Sequence, residues 1–239
     1  MKIEVVLSPA LYDGRQLRAH HISVAVDILR ATSAVCAAFS SGVSEIVPLD
    51  SLDDLPRYRD LGYTLAAERG GEKMPGAVCG NSPTEYLGMS LAGQRLAYST
   101  TNGTVSILRA STSDLLLVGA FANISSLSAA LIARADEDLV ILCSGWQGDP
   151  SIEDTVFAGA LIHKLQASGV DVSFVNDAAM MASDLWLEAA SDPYRYCSKA
   201  THVERLMRLG CERDIRWAFL ADTCPLVPCY RDGRLVLIN

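Results

Sequence analysis

Residues 22–49 read ISVAVDILRATSAVCAAFSSGVSEIVPL, and this stretch decides the fold. The run 22–26 is short and apolar, which suits a buried strand. The alanine-rich stretch 31–41 favours a helix, and after Gly42 a second strand-like run follows at 45–49. A strand, a helix and a strand in this order predict one unit of a layered α/β fold.

The same alternation continues on both sides of this unit. Further strands are predicted at 3–7, 96–99, 115–118, 139–143, 172–175 and 217–220, and further helices at 105–110, 125–134, 151–168, 178–190 and 202–209. We therefore predict a single α/β domain over residues 1–239, with a mostly parallel or mixed sheet and helices on both faces. Ligand sites in such folds lie beyond the carboxyl ends of the strands.

A weak similarity between two segments of the chain is compatible with an arrangement of two lobes. Arg30-Ala-Thr32 and Asn102-Gly-Thr104 each stand between a predicted strand and a predicted helix. The likeness fits two pseudo-similar lobes with a cleft between them, although any two strand–helix–strand units look alike at this level.

The composition excludes some partners. Of the 239 residues, 50% are hydrophobic and 20% are charged, as in an ordinary globular protein. Asp and Glu number 28 against 20 for Lys and Arg, so the formal net charge is −8. Nucleic acids and anionic lipids both favour cationic surfaces, so neither is expected as a partner. An anionic substrate must therefore meet a locally basic site.

Cysteine usage and hydropathy bear on the compartment. Seven cysteines are scattered along the chain and no secretory leader opens it, so we expect reduced thiols and a cytoplasmic location. The uncharged run 115–133 is as long as a membrane span, but Gly119, Asn123 and Ser126 interrupt it. We expect a buried strand and a capped helix there, with no membrane contact.

The predicted strand 22–26 delivers a carboxylate at its end. Asp27 follows the strand directly, and Arg30 and Thr32 come at the start of the next helix. A carboxylate there can bind a hard cation, while Thr32 and the helix amides can hold an oxyanion. The alternative is an Asp27–Arg30 pair that only stabilises the turn.

A second polar turn follows the predicted strand 96–99. It consists of Thr100, Thr101, Asn102, Gly103 and Thr104. Glycine lets a backbone approach a phosphate closely, and the amides of the following helix point at it. Capping a helix would need only one of these residues, so the turn predicts an anion cradle.

Two further motifs border the glycine- and proline-rich stretch 70–85. Glu68 and Arg69 precede it, and Asn81 and Ser82 lie near its end. Ser82 opens a Ser-Pro-Thr-Glu sequence, which serves equally well as a plain helix start.

The remaining candidates stand near later strand ends. Glu153 and Asp154 follow a glycine loop, where they suit either a divalent metal or the dipole of their own helix. Asp222 follows the predicted strand 217–220. His202 ranks last among the candidates, because a histidine at a helix start often has no role.

Missing motifs narrow the chemistry. The chain has no dinucleotide fingerprint, no Walker loop, no cysteine-phosphatase loop and no aspartyl-phosphatase pattern. Phosphate chemistry would therefore rest on metal-activated water.

Taken together and in order, these motifs resemble the 2-phosphosulfolactate phosphatase family over nearly the whole chain. The motifs are Asp27-Ile-Leu-Arg-Ala-Thr32, Ala67-Glu-Arg-Gly70, Gly80-Asn-Ser-Pro83, Thr100-Thr-Asn-Gly-Thr104, Gly119-Ala-Phe-Ala-Asn123 and Ser151-Ile-Glu-Asp154. The resemblance implies a magnesium-dependent phosphomonoesterase that converts 2-phospho-3-sulfolactate to 3-sulfolactate and phosphate, a step of coenzyme M synthesis.

The resemblance and the residues together suggest roles, as a hypothesis. The expected catalytic residues are Asp27, Glu68 and Asp154, and the expected Mg²⁺ ligands are Asp27, Glu153, Asp154 and Asp222. The expected substrate-binding residues are Arg30, Thr32, Arg69, Asn81, Ser82, Thr101, Asn102, Gly103 and Thr104.

Two rival functions stay open at this point: a phosphatase of the same fold for another phosphorylated hydroxy acid, and a non-catalytic sensor of small anions. The apolar helices favour a homo-oligomer.

Overall fold

The computed structural model describes residues 1–17 and 19–238. Its strands are β1 Lys2–Val6, β2 Ile22–Val26, β3 Glu45–Pro48, β4 Thr64–Arg69, β5 Glu72–Lys73, β6 Arg95–Ser99, β7 Leu115–Gly119, β8 Leu139–Cys143, β9 Ser173–Phe174, β10 Pro228–Arg231 and β11 Arg234–Leu237. Its α-helices are α1 Ala31–Ser40, α2 Leu55–Asp60, α3 Pro83–Leu87, α4 Gly103–Ala110, α5 Ile124–Ile132, α6 Ile152–Ala167, α7 Asp177–Ala189, α8 Pro193–Cys197, α9 Thr201–Arg208 and α10 Glu212–Ala218.

These strands form one mixed sheet in the order β5-β4-β6-β3-β11-β10-β7-β2-β8-β1-β9. Strands β4, β6 and β3 are mutually parallel, and so are β7, β2, β8, β1 and β9. The hairpin of β10 and β11 lies between these two groups and pairs antiparallel with both. The two groups therefore run in opposite directions.

The sequence of its turn explains why the C-terminal hairpin forms. Asp232 and Gly233 lie between its strands with positive φ angles of 51° and 83°. This is the two-residue turn that matches the natural twist of a hairpin, and an Asp-Gly pair favours it. The sequence prediction missed both strands.

Successive side chains of β2 point into two different cores. Ile22, Val24 and Val26 pack in a cluster with α5 and α6, whereas Ala25 lies in a cluster with α1 and α4. Alternation along a strand sends neighbouring side chains to opposite faces of the sheet. The α/β class and the helices on both faces are therefore confirmed.

The second of these cores joins both groups of parallel strands. It includes Val118 from one group and Leu96 from the other, packed around α1 and α4. The sheet therefore curls around these two helices. The carboxyl ends of β2 and β6 meet as a result: a Cβ atom on Gly103 would lie 2.8 Å from Oδ2 of Asp27.

The predicted strand at 217–220 is wrong. Residues up to Ala218 belong to α10, where Glu212 and Arg216 form an ion pair one turn apart. The buried residues Asp214, Ile215 and Ala218 follow a helical spacing, which the short apolar run concealed. The sequence prediction also missed β4, the strand that carries Glu68.

The run 115–133 forms β7, a 3₁₀ turn and α5, as predicted. Within the described residues, no helix is long and apolar enough to cross a membrane.

Candidate active site

A cavity of about 120 Å³ opens where the ends of several strands converge. Its walls come from the loops after β2, β4, β6 and β8, from the loop before α3, and from α9. The lining residues are Asp27, Leu29, Arg30, Glu68, Gly70, Gly71, Asn81, Thr101, Asn102, Trp146, Gln147, His202, Arg205 and Leu206. The cavity thus lies beyond strand carboxyl ends, as α/β folds require.

Asp27 is held by the turn between β2 and α1. Its Oδ1 accepts a hydrogen bond from the backbone N–H of Ala31 at 3.2 Å, and its Oδ2 accepts none from the described residues. Burial is the main cause that raises the pKa of Asp27 to about 6; the nearby carboxylates Glu68 and Glu153 contribute to the rise, and the hydrogen bond from Ala31 opposes it. Thr32 does not reach the cavity, because its hydroxyl donates to the Asp27 carbonyl at 2.8 Å.

Glu68 lies at the end of β4, and hydrogen bonds connect its carboxylate to two loops. It accepts hydrogen bonds from the N–H of Gly71 and from the hydroxyl of Thr101, the latter at 3.1 Å. Arg69 points elsewhere: it donates to the Glu68 carbonyl at 2.6 Å and to the Ser99 hydroxyl at 2.8 Å, and it does not line the cavity. Only Glu68 of this pair faces the ligand space.

The turn after β6 brings two helix starts into contact. Thr101 and Asn102 line the cavity, whereas Thr104 is fully buried and donates to the Thr100 carbonyl at 3.0 Å. A Cβ atom on Gly103 would lie 2.2 Å from the Cβ of Ala31. Glycine at this position is therefore what lets α4 approach the Asp27 turn.

Asp154 joins two loops beneath the cavity. Its carboxylate accepts from the N–H of Ile28 at 2.8 Å and from the N–H of Gly145 at 3.1 Å. Burial, together with the charges of Asp27 and Glu153, raises its pKa well above the ordinary range. Asp154 does not line the cavity, so its visible contribution is to fix the loops that do.

Glu153 and His202 form a buried pair beside the cavity. Glu153 Oε1 lies 2.7 Å from His202 Nδ1, and Oε2 is buried with no hydrogen-bond partner among the described residues. The His202 ring stacks on Trp146, with centroids 5.3 Å apart and planes 9° apart. His202 lines the cavity, and its Nε2 has no partner within residues 1–17 and 19–238.

Arg30 belongs to a buried polar network. Its Nη1 lies 3.0 Å from Oδ2 of Asp214, and its Nη2 donates to the Gly71 carbonyl at 2.7 Å. Asp214 Oδ1 accepts from the hydroxyls of Ser82 and Thr84, each at 2.6 Å. Ser82 therefore faces Asp214 and not the ligand space.

The amide nitrogen of Asn81 has no hydrogen-bond acceptor in the part of the chain that the structure describes. Its side-chain oxygen accepts from the Tyr98 hydroxyl, so its amide nitrogen is left to face the cavity that it lines.

Asp222 lies apart from this cluster. Its carboxylate accepts from the N–H of Ser125 at 2.8 Å and from the Ser125 hydroxyl at 2.5 Å, at the start of α5. It does not line the cavity. Its predicted place at a strand end rested on the strand at 217–220, which the structure replaces with a helix.

The structure thus divides the predicted residues into groups. Asp27, Arg30, Glu68, Asn81, Thr101 and Asn102 line the cavity, while Thr32, Arg69, Ser82, Gly103, Thr104, Glu153 and Asp154 support its walls. Sequence reasoning missed Trp146 and Gln147 as cavity residues and Asp214 as the partner of Arg30, gave Arg205 no role and ranked His202 last. The spacing of His202 and Arg205, one turn apart on α9, was the available signal.

The donor set fits a small divalent cation. Asp27 has a raised pKa and one oxygen with no hydrogen-bond donor among the described residues, and Glu68 lines the same cavity, so two carboxylates are available to a cation there. Within the described ranges, no group of three or more His, Cys, Asp or Glu side chains surrounds a common point. Mg²⁺ usually takes one or two carboxylates and keeps several waters, so these residues suffice.

Carboxylates, amides, a histidine and two arginines around a small cavity at strand ends define an α/β enzyme that acts on a small anion. The 2-phosphosulpholactate phosphatase family profile matches residues 7–233. The chain belongs to this family, which confirms the resemblance seen in the motifs.

Curated relatives carry the name "Probable 2-phosphosulfolactate phosphatase". One from Synechocystis is 32% identical over 235 residues, which are 95% of each chain. One from Parasynechococcus marenigrum is 34% identical over 86% of this chain and 87% of its own length. One from Symbiobacterium thermophilum is 30% identical over 92% and 96%.

Proposed function

We propose that this protein hydrolyses the phosphate ester of 2-phosphosulfolactate in a Mg²⁺-dependent reaction, releasing 3-sulfolactate and phosphate. From the family resemblance alone, we also propose that the reaction serves coenzyme M synthesis. The observation that carries the proposed chemistry is Asp27: a buried carboxylate with a raised pKa, whose Oδ2 accepts no hydrogen bond from the described residues, next to Glu68 in a cavity rich in hydrogen-bond donors.

In this proposal Asp27 holds the Mg²⁺. The bound ion would neutralise phosphate charge and lower the pKa of a water molecule. Glu153, Asp154 and Asp222 are not retained as ligands, because none of them lines the cavity.

In the proposed reaction Glu68 acts as the general base and His202 as the general acid. Hydrolysis forms a bond from the water oxygen to phosphorus and breaks the bond from phosphorus to the ester oxygen. Glu68 takes the proton of the attacking water, since its Oε2 accepts, among the described residues, only a long 3.4 Å hydrogen bond from the N–H of Thr101. His202 donates a proton from Nε2 to the departing ester oxygen, and Glu153 orients the ring through Nδ1.

The amides orient the substrate. Asn81 and Asn102 line the cavity and can donate to phosphate oxygens. Arg30 adds positive charge to the same wall, although Asp214 balances it.

The test is phosphate release from 2-phosphosulfolactate, measured with added Mg²⁺ and again with a chelator. We expect saturable release that stops on chelation and returns with Mg²⁺. Asp27→Asn should lower the rate by at least about a hundred-fold. Asp222→Asn is the matched control, because Asp222 is outside the cavity and asparagine tolerates its positive φ of 57°.

Near-normal release by Asp27→Asn, or equal losses in both variants, would contradict the proposal. A panel of other phosphorylated hydroxy acids in the same assay tests the rival substrate class. Tight binding of 2-phosphosulfolactate without turnover would instead support the sensor.

A further inference from the structure

The cavity contains one cation whose charge is not matched within the described residues. Arg30 is paired with Asp214 at 3.0 Å, and Arg69 points away from the cavity. Arg205 lines the cavity and forms no ion pair with residues 1–17 and 19–238. Its charge is therefore available to a ligand.

The Arg205 guanidinium is held in place by uncharged groups. Its Nη2 donates to the Gly70 carbonyl, and its carbon Cζ lies 5.9 Å from the ring centroid of Trp146. The β4–β5 turn packs against it so closely that a Cβ on Gly71 would lie 3.3 Å from Nη1. A guanidinium has five N–H donors, and among the described residues only the Gly70 carbonyl accepts from the Arg205 guanidinium.

A fixed guanidinium with spare donors suits a planar or tetrahedral oxyanion, which it can bind through two parallel hydrogen bonds. In the proposed function, the transferred phosphate would be bound by the Mg²⁺ that Asp27 holds and by the amides of Asn81 and Asn102. The cavity, at about 120 Å³, is also well below the roughly 300–1,000 Å³ of pockets for drug-sized ligands. Its occupant is therefore small, and a second acidic group on it would lie near the ester.

We propose that Arg205 binds the second, non-transferred oxyanion of the substrate, a sulfonate or a carboxylate, and so selects phosphate esters that carry one. This proposal rests on the proposed function and adds a residue that determines specificity. Arg205 is not expected to take part in the bond-breaking step.

The test compares Arg205→Gln with Arg208→Gln. Arg208 lies on the same helix, is exposed, and is paired with Glu204, so its variant should behave like the wild type. Binding of 3-sulfolactate and of inorganic phosphate is measured separately by calorimetry in the presence of Mg²⁺. We expect Arg205→Gln to weaken 3-sulfolactate binding by roughly 10- to 100-fold while phosphate binding changes less than about three-fold.

Kinetics provide a second readout. Arg205→Gln should raise KM for 2-phosphosulfolactate more than it lowers kcat, and it should leave kcat/KM for isopropyl phosphate, which lacks other charges, nearly unchanged. Arg205→Lys should bind 3-sulfolactate better than Arg205→Gln, because it restores the charge. With 2-phospholactate, which lacks the sulfonate, a similar loss assigns Arg205 to the carboxylate and no loss assigns it to the sulfonate.

Equal losses on 3-sulfolactate and phosphate, no loss on either, or a lysine variant no better than glutamine would overturn the assignment. Failure of the wild type to bind 3-sulfolactate would overturn it too. Failure of the wild type to hydrolyse 2-phosphosulfolactate while still binding 3-sulfolactate through Arg205 would instead reject the proposed function alone.

Discussion

Asp214→Asn is expected to destabilise the protein strongly. The Asp214 and Arg30 side chains are only 7% and 6% exposed, and 3.0 Å separates their charged atoms. Removing one charge of a buried pair leaves the other without compensation, which costs about 3–5 kcal/mol. Asparagine keeps one oxygen for the hydroxyls of Ser82 and Thr84, so the loss comes mainly from the unpaired guanidinium.

The assay is urea unfolding followed by circular dichroism, together with a thermal melt. For a chain of this length, a loss of about 3–5 kcal/mol lowers Tm by roughly 6–20 °C. Glu212→Gln is the matched control on the same helix, since Glu212 and Arg216 are 52% and 60% exposed. An exposed pair contributes about 1 kcal/mol at most.

A free energy of unfolding for Asp214→Asn within about 1 kcal/mol of that for Glu212→Gln would contradict the expected cost of the unpaired charge. A double variant, Arg30→Met with Asp214→Leu, should recover much of the lost stability, because an apolar pair removes the unpaired charge. It should not recover activity, because Arg30 lines the cavity.

Three further predictions follow from the site. His202→Gln should slow hydrolysis of an alkyl phosphate by roughly 10²- to 10⁴-fold and of p-nitrophenyl phosphate far less, because p-nitrophenolate leaves without a proton; equal losses would count against His202 as the acid. With Mg²⁺ chelated, the pKa of Asp27 is near 6 in the folded protein, above the ordinary value of 3.8. The protonated Asp27 side chain therefore contributes its full stabilisation below pH 3.8, and this contribution is lost as the pH rises through 6. Urea unfolding of Asp27→Asn and wild type should therefore diverge in favour of the variant by on the order of 3 kcal/mol over that range, and a constant difference would contradict this. Gly103→Ala should lower the free energy of unfolding by about 1–3 kcal/mol and remove most of the activity, since the new Cβ would lie 2.2 Å from the Cβ of Ala31. Gly14→Ala is the control, because its Cβ would meet nothing within 4 Å, and similar melting of the two variants would argue against the close contact.

Much of the fold was predictable because its signals are local. Strand β2 and helix α1 follow from a short apolar run and an alanine-rich stretch, and strand β8 from another such run. Asp27 was predictable as a site residue for the same reason, since it directly follows β2. The strand at 217–220 was wrong because a run of four residues carries too little periodicity to separate a strand from the end of a helix.

The α/β class, the family and the cavity-lining carboxylate at the end of β2 could therefore be predicted from local sequence patterns. Which polar side chains face the ligand could be seen only in the folded chain. Ser82 and Arg69 looked like substrate-binding residues but bond to protein groups, while Arg205 faces the cavity and forms no ion pair with another described residue. The physical reason is that these choices depend on contacts between distant parts of the chain, such as Arg30 with Asp214. These two residues are 184 positions apart in the sequence, so no local pattern could indicate that they meet.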